Sequence, residues 1–268
     1  MKVVHVVEPF AAGVATFIRH LVMHMPYDKH VIIHGERPEY EPAEKIRKSF
    51  PQNNVSFIRW VGVKRQLEIK NDIRSLISLY QILKKIQDVD VVHLHSSKAG
   101  FLGRIVCTML GFKNVIYTPN GLSFMMKNHS WAKRKLYLSL EWFSKMMYGR
   151  VISTSESEKS KLKKYGLKSQ AIYNGTVIQS PPLIAGQARK GSKDVFKIVT
   201  CGRIEYQKGP DLFAKIAKQF ENQPDVEFVW IGDGPQRNLL KGKNITIKGW
   251  VESDEVFAEI SDADLYLS

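Results

Sequence analysis

Cysteine and long apolar runs are both scarce in this sequence. The 268 residues include two cysteines, Cys107 and Cys201, too few for a disulfide framework and without the spacing of a metal site. No apolar run approaches the roughly 20 residues that a membrane-spanning helix needs. The first residues, MKVVHVVEPF, indicate a β-strand instead of a signal peptide, because no long apolar core or small-residue cleavage site follows. We therefore expect a cytoplasmic protein.

Acidic residues are also few relative to basic ones. The chain has 26 Asp and Glu against 40 Lys and Arg, which gives a formal net charge of +14. Such an excess favours polyanionic partners, namely nucleic acid, an anionic membrane surface or phosphorylated small molecules. Because zinc-finger spacing and the basic-plus-aromatic signature of nucleic-acid-binding modules are both missing, we expect no nucleic acid partner.

Short apolar runs alternate with longer amphipathic stretches along most of the chain. Runs such as Val3–Val7, His30–Ile33 and Val115–Thr118 predict strands, and Asp72–Ile86 has apolar residues at helical spacing. Strand–helix–strand repetition with apolar strands predicts an α/β fold with parallel sheets covered on both faces.

The pattern breaks around residues 178–194, where the run QSPPLIAGQARKGSKD is rich in proline, glycine, serine and charge. We predict a linker there, between an amino-terminal domain, 1–177, and a second β/α series, 195–268. The second series has strands predicted at Phe196–Cys201 and Val226–Ile231. A doubly wound domain normally has about six strands, and the roughly 74 residues of this series are too few for them. We therefore expect the second domain to be incomplete.

Loops that follow strands are the candidate sites, because ligands bind beyond the carboxyl ends of parallel strands. After the first strand, Gly13 lies where backbone amides at a helix start can approach an anion. Asn120-Gly121 forms a sharp turn past another strand, either as turn chemistry alone or as a ligand contact. His93 and His95 share a strand face, but no third ligand has supporting spacing, so packing or hydrogen bonding explains them better than a metal site.

The loop GRIEYQKGPD, which begins at Gly202, carries the strongest signal. Arg203 and Lys208 lie between a predicted strand and a helix with proline at its first position. They are either two solvated charges or the cationic part of an anion site. The run WIGDGP repeats the order of strand, glycines (Gly232 and Gly234) and proline. Two such loops in one half of the chain favour a nucleotide or diphosphate ligand.

Nine short segments follow one another along nearly the whole chain: VVHVVEPFAAGV, DVVHLHSSKAGFLGR, IYTPNGLSF, ISTSESEK, YNGT, CGRIEYQKGPDLF, WIGDGP, IKGW and DADLYLS. Taken in order, they resemble the family-4 glycosyltransferases of the GT-B fold, in the branch that builds bacterial cell-surface polysaccharides. The resemblance implies two Rossmann-like domains facing each other across a cleft. It implies an acceptor on the amino-terminal domain and most of the nucleotide sugar on the carboxy-terminal one.

The resemblance assigns Arg203 and Lys208 to the catalytic pair that contacts the donor diphosphate. When the sugar–phosphate bond breaks, negative charge builds on the departing diphosphate, and fixed cations stabilise it. The resemblance also implies a retaining transfer from a UDP- or GDP-linked sugar to a glycan or polyprenyl-linked acceptor, with no metal and no other cofactor. The glycines expected to contact the donor are Gly13, Gly202, Gly232 and Gly234, and the residues expected on the acceptor or transferred-sugar side are Asn120 and Gly121.

The sequence departs from the family pattern at three places. The first loop reads Ala-Ala-Gly where many relatives have two adjacent glycines. Asn120 stands where many relatives have histidine, and an amide can hydrogen-bond but cannot titrate near neutrality. The chain stops at Ser268, before the loop with two glutamates, separated by seven residues, that relatives place after a segment like DADLYLS. We therefore expect a truncated enzyme or, alternatively, a catalytically incomplete fragment that binds nucleotide sugar.

The stretch 127–150, KNHSWAKRKLYLSLEWFSKMMYGR, is both basic and aromatic. Four apolar residues at helical spacing are expected to face the core, namely Leu136, Leu140, Phe143 and Met147. Arg134 and Lys145 are expected to project together on another face. The stretch is either a core helix with a solvated basic face or a surface that docks on anionic lipid, at the inner face of the cytoplasmic membrane.

Overall fold

The chain forms two compact units, Met1–Val177 and Ile178–Ser268. This division comes from a computed structural model that describes residues 1–37, 42–64, 68–126, 129–175, 195–251 and 253–268. The linker expected at 178–194 lies outside the described residues, and so do the first two residues of the stretch 127–150.

The first unit is built on a seven-stranded sheet in which every neighbouring pair of strands is parallel. In chain order its elements are β1 (Lys2–Val7), α1 (Ala12–His24), β2 (Lys29–His34), α2 (Ala43–Lys48), β3 (Val55–Arg59), α3 (Ile69–Lys85), β4 (Val91–His95), α4 (Ser97–Leu110), β5 (Val115–Thr118), α5 (Trp131–Phe143), β6 (Arg150–Ser153), α6 (Glu156–Lys164) and β7 (Gln170–Ala171). The spatial order is β3-β2-β1-β4-β5-β6-β7, the Rossmann arrangement. The predicted α/β class with parallel sheets is confirmed.

Helices cover this sheet on both faces, and alternate residues of β1 enter two separate cores. Val4 and Val6 pack in one cluster with Leu79 and Leu83 of α3. Val7 packs on the other face in a cluster with residues of α1 and α2. Because both faces are buried, the strands appear in the sequence as continuous apolar runs.

The prediction that the apolar stripe of α5 faces the core is wrong. Leu136 and Phe143 are 49% and 51% exposed. The other two members of the stripe are only partly buried, namely Leu140 and Met147. Lys145, predicted to project together with Arg134 on another face, is exposed, and its Nζ donates to the carbonyl oxygen of Gly166 at 2.9 Å. The helix instead turns Glu141 toward the domain, together with Tyr137 and Leu138, which pack against an apolar cluster.

Polar contacts decide this orientation of α5. The Glu141 carboxylate accepts hydrogen bonds from Arg104 Nη2 and from the Tyr117 hydroxyl, each at 2.8 Å. Arg134 Nε donates to the carbonyl oxygen of Phe124 at 3.0 Å. Arg104 is buried, with 3% of its side chain exposed, so an unpaired guanidinium there would be strongly destabilising. Pairing it with Glu141 leaves the apolar stripe on the outside.

The second unit repeats the parallel α/β pattern in four described strands. Its elements are β8 (Phe196–Cys201), α7 (Pro210–Gln219), β9 (Val226–Ile231), β10 (Ile245–Gly249), α8 (Ser253–Ser261) and β11 (Leu265–Tyr266). The spatial order is β10-β9-β8-β11, which corresponds to the first four positions of the Rossmann arrangement. Phe213 and Ala217 of α7 pack against Phe228 and Trp230 of β9 in the core.

Candidate functional site

The loop after β8 places the two predicted cations beside Gly202. Lys208 extends along the loop, so that its Cε and Nζ atoms would lie 3.0 and 3.6 Å from a β-carbon added to Gly202. Its side chain is exposed. Arg203 is 26% exposed, and its Nε lies 3.3 Å from Glu205 Oε1. Both cations therefore lie at the carboxyl end of β8, the edge of the sheet where ligands bind.

Gly232 and Gly234, which follow β9, allow two loops to touch. A β-carbon on Gly232 would lie 2.3 Å from the carbonyl oxygen of Gly202, and one on Gly234 would lie 2.5 Å from that of Ile204. Gly232 also has φ of +131°, a conformation that favours glycine. Ile204 N donates to the carbonyl oxygen of Asp233 at 3.0 Å across the same contact. These glycines hold the β8 and β9 loops together, and their contact with a donor stays a prediction.

Helix α7 starts directly after the cations, with Gly209 as its N-cap and Pro210 in its first turn. Among the described residues, no side chain caps this end. The first amide groups of a helix have no partner within the helix and carry the positive end of its dipole. Burial raises the pKa of the neighbouring Cys201 thiol, and the Lys208 charge acts in the opposite direction. Two cations and uncapped amides at one point suit the charge of a diphosphate.

In the first unit, three non-glycine residues with positive φ follow strands. They are Ala12 after β1, Ser96 after β4 and Asn120 after β5, with φ of 47°, 77° and 52°. Such conformations cost about 1–3 kcal/mol each and concentrate at functional sites. Because β1, β4 and β5 are parallel neighbours, all three residues lie at one edge of the sheet. This carboxyl edge is the candidate ligand edge of the first unit.

The predicted glycines of the first unit have open surroundings at this edge. A β-carbon added to Gly13 or to Gly121 would meet no atom within 4 Å. Gly13 lies in the first turn of α1. Gly121 follows Asn120, whose Nδ2 donates to the carbonyl oxygen of Thr118 at 3.3 Å. The fold thus brings Gly13, Asn120 and Gly121 to one sheet edge, with space for a ligand to approach the backbone.

A buried ion pair at the same edge was missed by sequence reasoning. Glu8 is 2% exposed, and it accepts a hydrogen bond from Arg37 Nε at 2.5 Å. Ser96 Oγ donates to the backbone carbonyl of Glu8. The sequence signal is an acidic residue directly after a buried apolar strand. The three residues fix the loop after β1 against the loops after β2 and β4.

Buried histidines form a hydrogen-bonded row across β4, β1 and β2. His5 Nδ1 lies 3.1 Å from His95 Nε2, and His5 Nε2 lies 3.1 Å from His30 Nδ1. His30 Nε2 lies 3.3 Å from the carbonyl oxygen of Met25. A carbonyl only accepts, so His30 donates there, His5 donates to His30, and His95 donates to His5. The row ends at His95 Nδ1, a buried nitrogen without a partner in the described part of the chain.

The same cluster contains the third metal ligand that the sequence did not show. Ring nitrogens of His5, His93 and His95 lie within 4.8 Å of one another, close enough to hold a metal ion. His93 Nε2 already lies 2.8 Å from Thr118 Oγ1, and burial lowers the pKa of His93 to about 3. The group contains no carboxylate to offset the charge of a cation in a buried site. Hydrogen-bonded packing of neutral rings remains our interpretation.

The fold defines the class of protein. The structure is similar to sucrose-phosphate synthase from Thermosynechococcus elongatus, with a TM-score of 0.74 and 15% identity, over 99% of this chain and 74% of that chain. It is also similar to UDP-GlcNAc 2-epimerase from Neisseria meningitidis bound to UDP-GlcNAc, with a TM-score of 0.61 and 15% identity, over 100% of this chain and 77% of that chain. At these identities the likeness shows the fold alone, which is the GT-B class.

Sequence comparison then shows the family. The sequence model of Glycosyltransferase Family 4 matches residues 11–179, and that of Glycosyl transferases group 1 matches residues 195–268. The Escherichia coli UDP-Gal:alpha-D-GlcNAc-diphosphoundecaprenol alpha-1,3-galactosyltransferase is 33% identical over 208 residues, which cover 69% of this chain and 53% of that protein. The chain thus spans about half the length of this curated relative. The chain belongs to glycosyltransferase family 4, and the resemblance seen in its motifs is confirmed.

Proposed function

We propose that this chain acts in a retaining glycosyltransferase of cell-surface polysaccharide synthesis. The donor is a UDP- or GDP-linked sugar, and the acceptor is a glycan or a polyprenyl-linked saccharide. Family membership supports sugar transfer over the epimerase reaction of proteins that share the fold. The printed name of the E. coli relative, a galactosyltransferase for a diphosphoundecaprenol-linked GlcNAc, supports the substrate classes.

The observation that carries the proposal is the pair of cations between β8 and α7. As the bond from the sugar to the diphosphate breaks, its electron pair moves to a phosphate oxygen. Arg203 can grip phosphate oxygens with two parallel hydrogen bonds, and Lys208 supplies a point charge. Both charges lie at the carboxyl end of β8, where they can stabilise the negative charge that develops on the diphosphate. We assign both residues a catalytic role and Gly202, Gly232 and Gly234 to the shape of the donor site.

We assign residues 1–177 to the acceptor side and residues 195–268 to the donor side, with 178–194 as the linker. Gly13 lies in the uncapped first turn of α1, and we propose that its amide contacts donor phosphate. Asn120 and Gly121 lie at the same sheet edge, and we propose that they contact the acceptor or the transferred sugar. The Asn120 amide orients hydroxyl groups but does not carry protons, because it does not titrate.

A transfer assay with substituted cations tests this function. The full-length protein with Arg203→Ala or Lys208→Ala is given labelled UDP- and GDP-sugars and a polyprenyl diphosphate-linked saccharide. We expect kcat/KM to fall roughly 100-fold or more for each change, as when one group that stabilises developing negative charge is removed. Product anomers are assigned by NMR, and retention is expected.

Lys218→Ala provides a matched control for this assay. Lys218 is an exposed cation in the last turn of α7, at the other end of the helix from Arg203 and Lys208. The control is expected to keep wild-type transfer. Because we assign charge stabilisation to two side chains, EDTA is also expected to leave transfer unchanged. Wild-type activity in both Arg203→Ala and Lys208→Ala would refute their catalytic role.

We also propose that the outer face of α5 docks on an anionic membrane surface. Apolar and aromatic side chains that are 41–79% exposed on α5 and in the residues directly after it define this α5 face, namely Trp131, Leu136, Trp142, Phe143, Met146 and Tyr148. Lys133 and Lys135 are exposed among them, and Lys135 Nζ lies 4.0 Å from the centre of the Trp131 ring. Aromatic side chains mixed with lysine on one helix face are typical of helices that lie in the lipid headgroup region.

The helices in the described part of the chain are each too short or too polar to span a bilayer. The buried Arg104–Glu141 pair keeps the α5 face on the outside of the domain, which leaves its apolar side chains exposed. Exposed apolar patches of this kind mark interaction sites. Anionic lipid satisfies both parts of the α5 face, since the lysines meet headgroups and the rings enter the acyl boundary.

Sedimentation with lipid vesicles tests the α5 face. The wild-type protein is expected to bind phosphatidylglycerol-containing vesicles at low salt and to dissociate at high salt. The variant Trp131→Ala, Phe143→Ser, Met146→Ser should bind much less. Tyr27→Ala is the control, because Tyr27 is 98% exposed outside the α5 face. Absence of wild-type binding at low salt would contradict the proposal.

A further inference from the structure

A pocket of about 660 Å³ lies wholly within the first unit, at the carboxyl ends of β1, β2 and β3. Pro9 and Phe10 come from the loop after β1, and Glu36 and Arg37 come from the loop after β2. The remaining charged walls are formed by α2 and the last residue of β3, which contribute Glu44, Arg47 and Arg59. Three arginines in one pocket at the ligand edge of a parallel sheet are a chemical feature that the donor site does not use.

Arg47 is held in place by a buried histidine. His34 is 0% exposed, and its Nε2 accepts hydrogen bonds from Arg47 Nη2 at 2.6 Å and from Arg47 Nε at 3.2 Å. Burial and the Arg47 charge lower the pKa of His34 to about 4, so the ring is neutral and can accept. The Arg47 guanidinium carbon also lies 5.6 Å from the centre of the Phe57 ring. The guanidinium is thus oriented before any ligand arrives.

The acidic groups of the pocket leave Arg47 and Arg59 loosely paired. Glu36 lies between them, 3.6 Å from Arg47 Nη2 and 3.4 Å from Arg59 Nη2, both long for charge-assisted hydrogen bonds. Its side chain is 35% exposed, and that of Arg59 is 67% exposed. Arg37 differs from these two, because it forms a buried pair with Glu8 at 2.5 Å. A ligand phosphate can therefore replace Glu36 between Arg47 and Arg59 without disturbing the Glu8 pair.

We propose that this pocket binds the phosphate or diphosphate group of the acceptor, held between Arg47 and Arg59 in place of the Glu36 carboxylate. The proposal rests on the proposed function, since it names the acceptor as a phosphate-bearing saccharide. Arginine suits the role because its planar guanidinium matches phosphate oxygens in pairs. The apolar walls, Pro9 and Phe10, leave the rest of the 660 Å³ to the saccharide. Glu36 competes with the ligand for the two guanidinium groups and so lowers the affinity of the pocket for phosphate.

Calorimetry with inorganic pyrophosphate tests the pocket directly. The protein carries Arg203→Ala and Lys208→Ala in all samples, so that the donor loop does not contribute to the signal. We expect pyrophosphate to bind with a Kd in the millimolar range or below. Arg59→Ala should weaken binding about tenfold, and Glu36→Gln should tighten it about fivefold. Arg59 is mostly exposed and Glu36 partly so, so neither change removes a buried contact, whereas Arg47→Ala would also leave His34 without its partner.

Further probes separate the sources of phosphate. Geranyl diphosphate should bind as tightly as pyrophosphate or more tightly, and glucose should not bind at 10 mM. Lys64→Ala, an exposed cation after β3, is the control and should leave the pyrophosphate affinity unchanged. Binding of glucose without pyrophosphate would overturn the proposal in favour of a neutral sugar pocket. Equal pyrophosphate affinity in the starting protein, Arg59→Ala and Glu36→Gln would also overturn it. These readouts do not depend on transfer, so failure of the pocket and failure of the transferase activity are distinguishable.

Discussion

The two units share the same architecture, but different kinds of residues form their ligand edges. In the first unit, buried side chains shape the edge, among them the Glu8–Arg37 pair and left-handed residues that are not glycine, such as Ala12. In the second unit, glycines shape it, and the backbone of Gly232 lies against that of Gly202. The geometry of the first edge therefore depends on charge states, and that of the second edge depends on the absence of β-carbons.

Acidification should produce the largest effect, and only in the first unit. All eight histidines of the sequence lie in Met1–Val177. Burial lowers the pKa of His5, His30, His34, His93 and His95, to about 4 for His34 and about 3 for His93. Below the unfolded pKa of about 6.5, the unfolded chain therefore binds protons that the folded chain does not, and the free energy of unfolding decreases as the pH is lowered. Five such histidines amount to about 7 kcal/mol at most between pH 7.5 and pH 5.5.

Hydrogen exchange followed by mass spectrometry resolves the two units in one sample. Peptides from β1 and β4 should lose protection at pH 5.5 after correction for intrinsic rates, and peptides from β8 and β9 should keep it. The pKa of Glu259 in the second unit is lowered by hydrogen bonds from Lys197 and Lys248. The stability that Glu259 contributes is therefore lost only below about pH 4.5, outside the tested window. Equal loss in both units would contradict the contrast.

Gly232→Ala should strongly destabilise the second unit. The new β-carbon would lie 2.3 Å from the Gly202 carbonyl oxygen, at φ of +131°. Overlap and backbone strain together predict a loss of about 4 kcal/mol in the free energy of unfolding. Gly13→Ala is the matched comparison in the first unit, because its β-carbon meets nothing within 4 Å. It should keep full stability in urea denaturation and lose affinity for nucleotide sugar; a destabilised Gly13→Ala would contradict the assignment of open space there.

Glu141→Gln tests the buried charge of the first unit. Arg104, with 3% of its side chain exposed, would lose its carboxylate partner. We expect a loss of about 3 kcal/mol in the free energy of unfolding, because a buried guanidinium would remain uncompensated. Glu68→Gln removes an exposed pair with Lys64 and should change stability by less than about 0.5 kcal/mol. Similar effects of the two substitutions, measured by urea denaturation, would argue against a structural role for the buried pair.

Ala12→Gly should give the smallest effect and the opposite sign. Ala12 has φ of 47°, in the region that glycine adopts without strain. Because the strain is removed, the substitution should raise the free energy of unfolding by about 1 kcal/mol. Ala15→Gly, three residues further along α1 and buried, should instead lower it by about 1 kcal/mol. A loss of stability in Ala12→Gly would show that the left-handed turn is not strained.

Much of the fold follows from the sequence because the strands are buried on both faces. The predicted bounds of Val115–Thr118, Phe196–Cys201 and Val226–Ile231 match the strands found. The strand predicted at His30–Ile33 extends to Lys29 and His34, since backbone pairing with neighbouring strands continues past the apolar residues. Apolar periodicity marks only the apolar part of a strand, and the backbone hydrogen bonds continue into exposed Lys29 and into His34, which is buried but polar.

The orientation of α5 and the edge of the first unit were not predictable in this way. Periodicity placed Leu136 and Phe143 in the core, but Glu141 turns inward because buried Arg104 requires it. Pairs such as Glu8 with Arg37 join residues 29 positions apart, so the acidic residue after the strand is visible in the sequence but its partner is not. Because glycines are visible in a sequence and polar partners are not, the ligand edge of the second unit is more predictable from sequence than that of the first. The roles of the site residues stay predictions.

The role of Arg203 and Lys208 can be measured from the affinity for a nucleoside diphosphate relative to its nucleoside. Calorimetry gives the ratio of affinities for UDP over uridine, or GDP over guanosine, in the wild-type protein and in the double variant Arg203→Ala, Lys208→Ala. We expect a preference of roughly 100-fold for the diphosphate in the wild type, and a fall to within a few-fold in the double variant. An unchanged ratio in the double variant would contradict the claim that Arg203 and Lys208 hold the donor diphosphate.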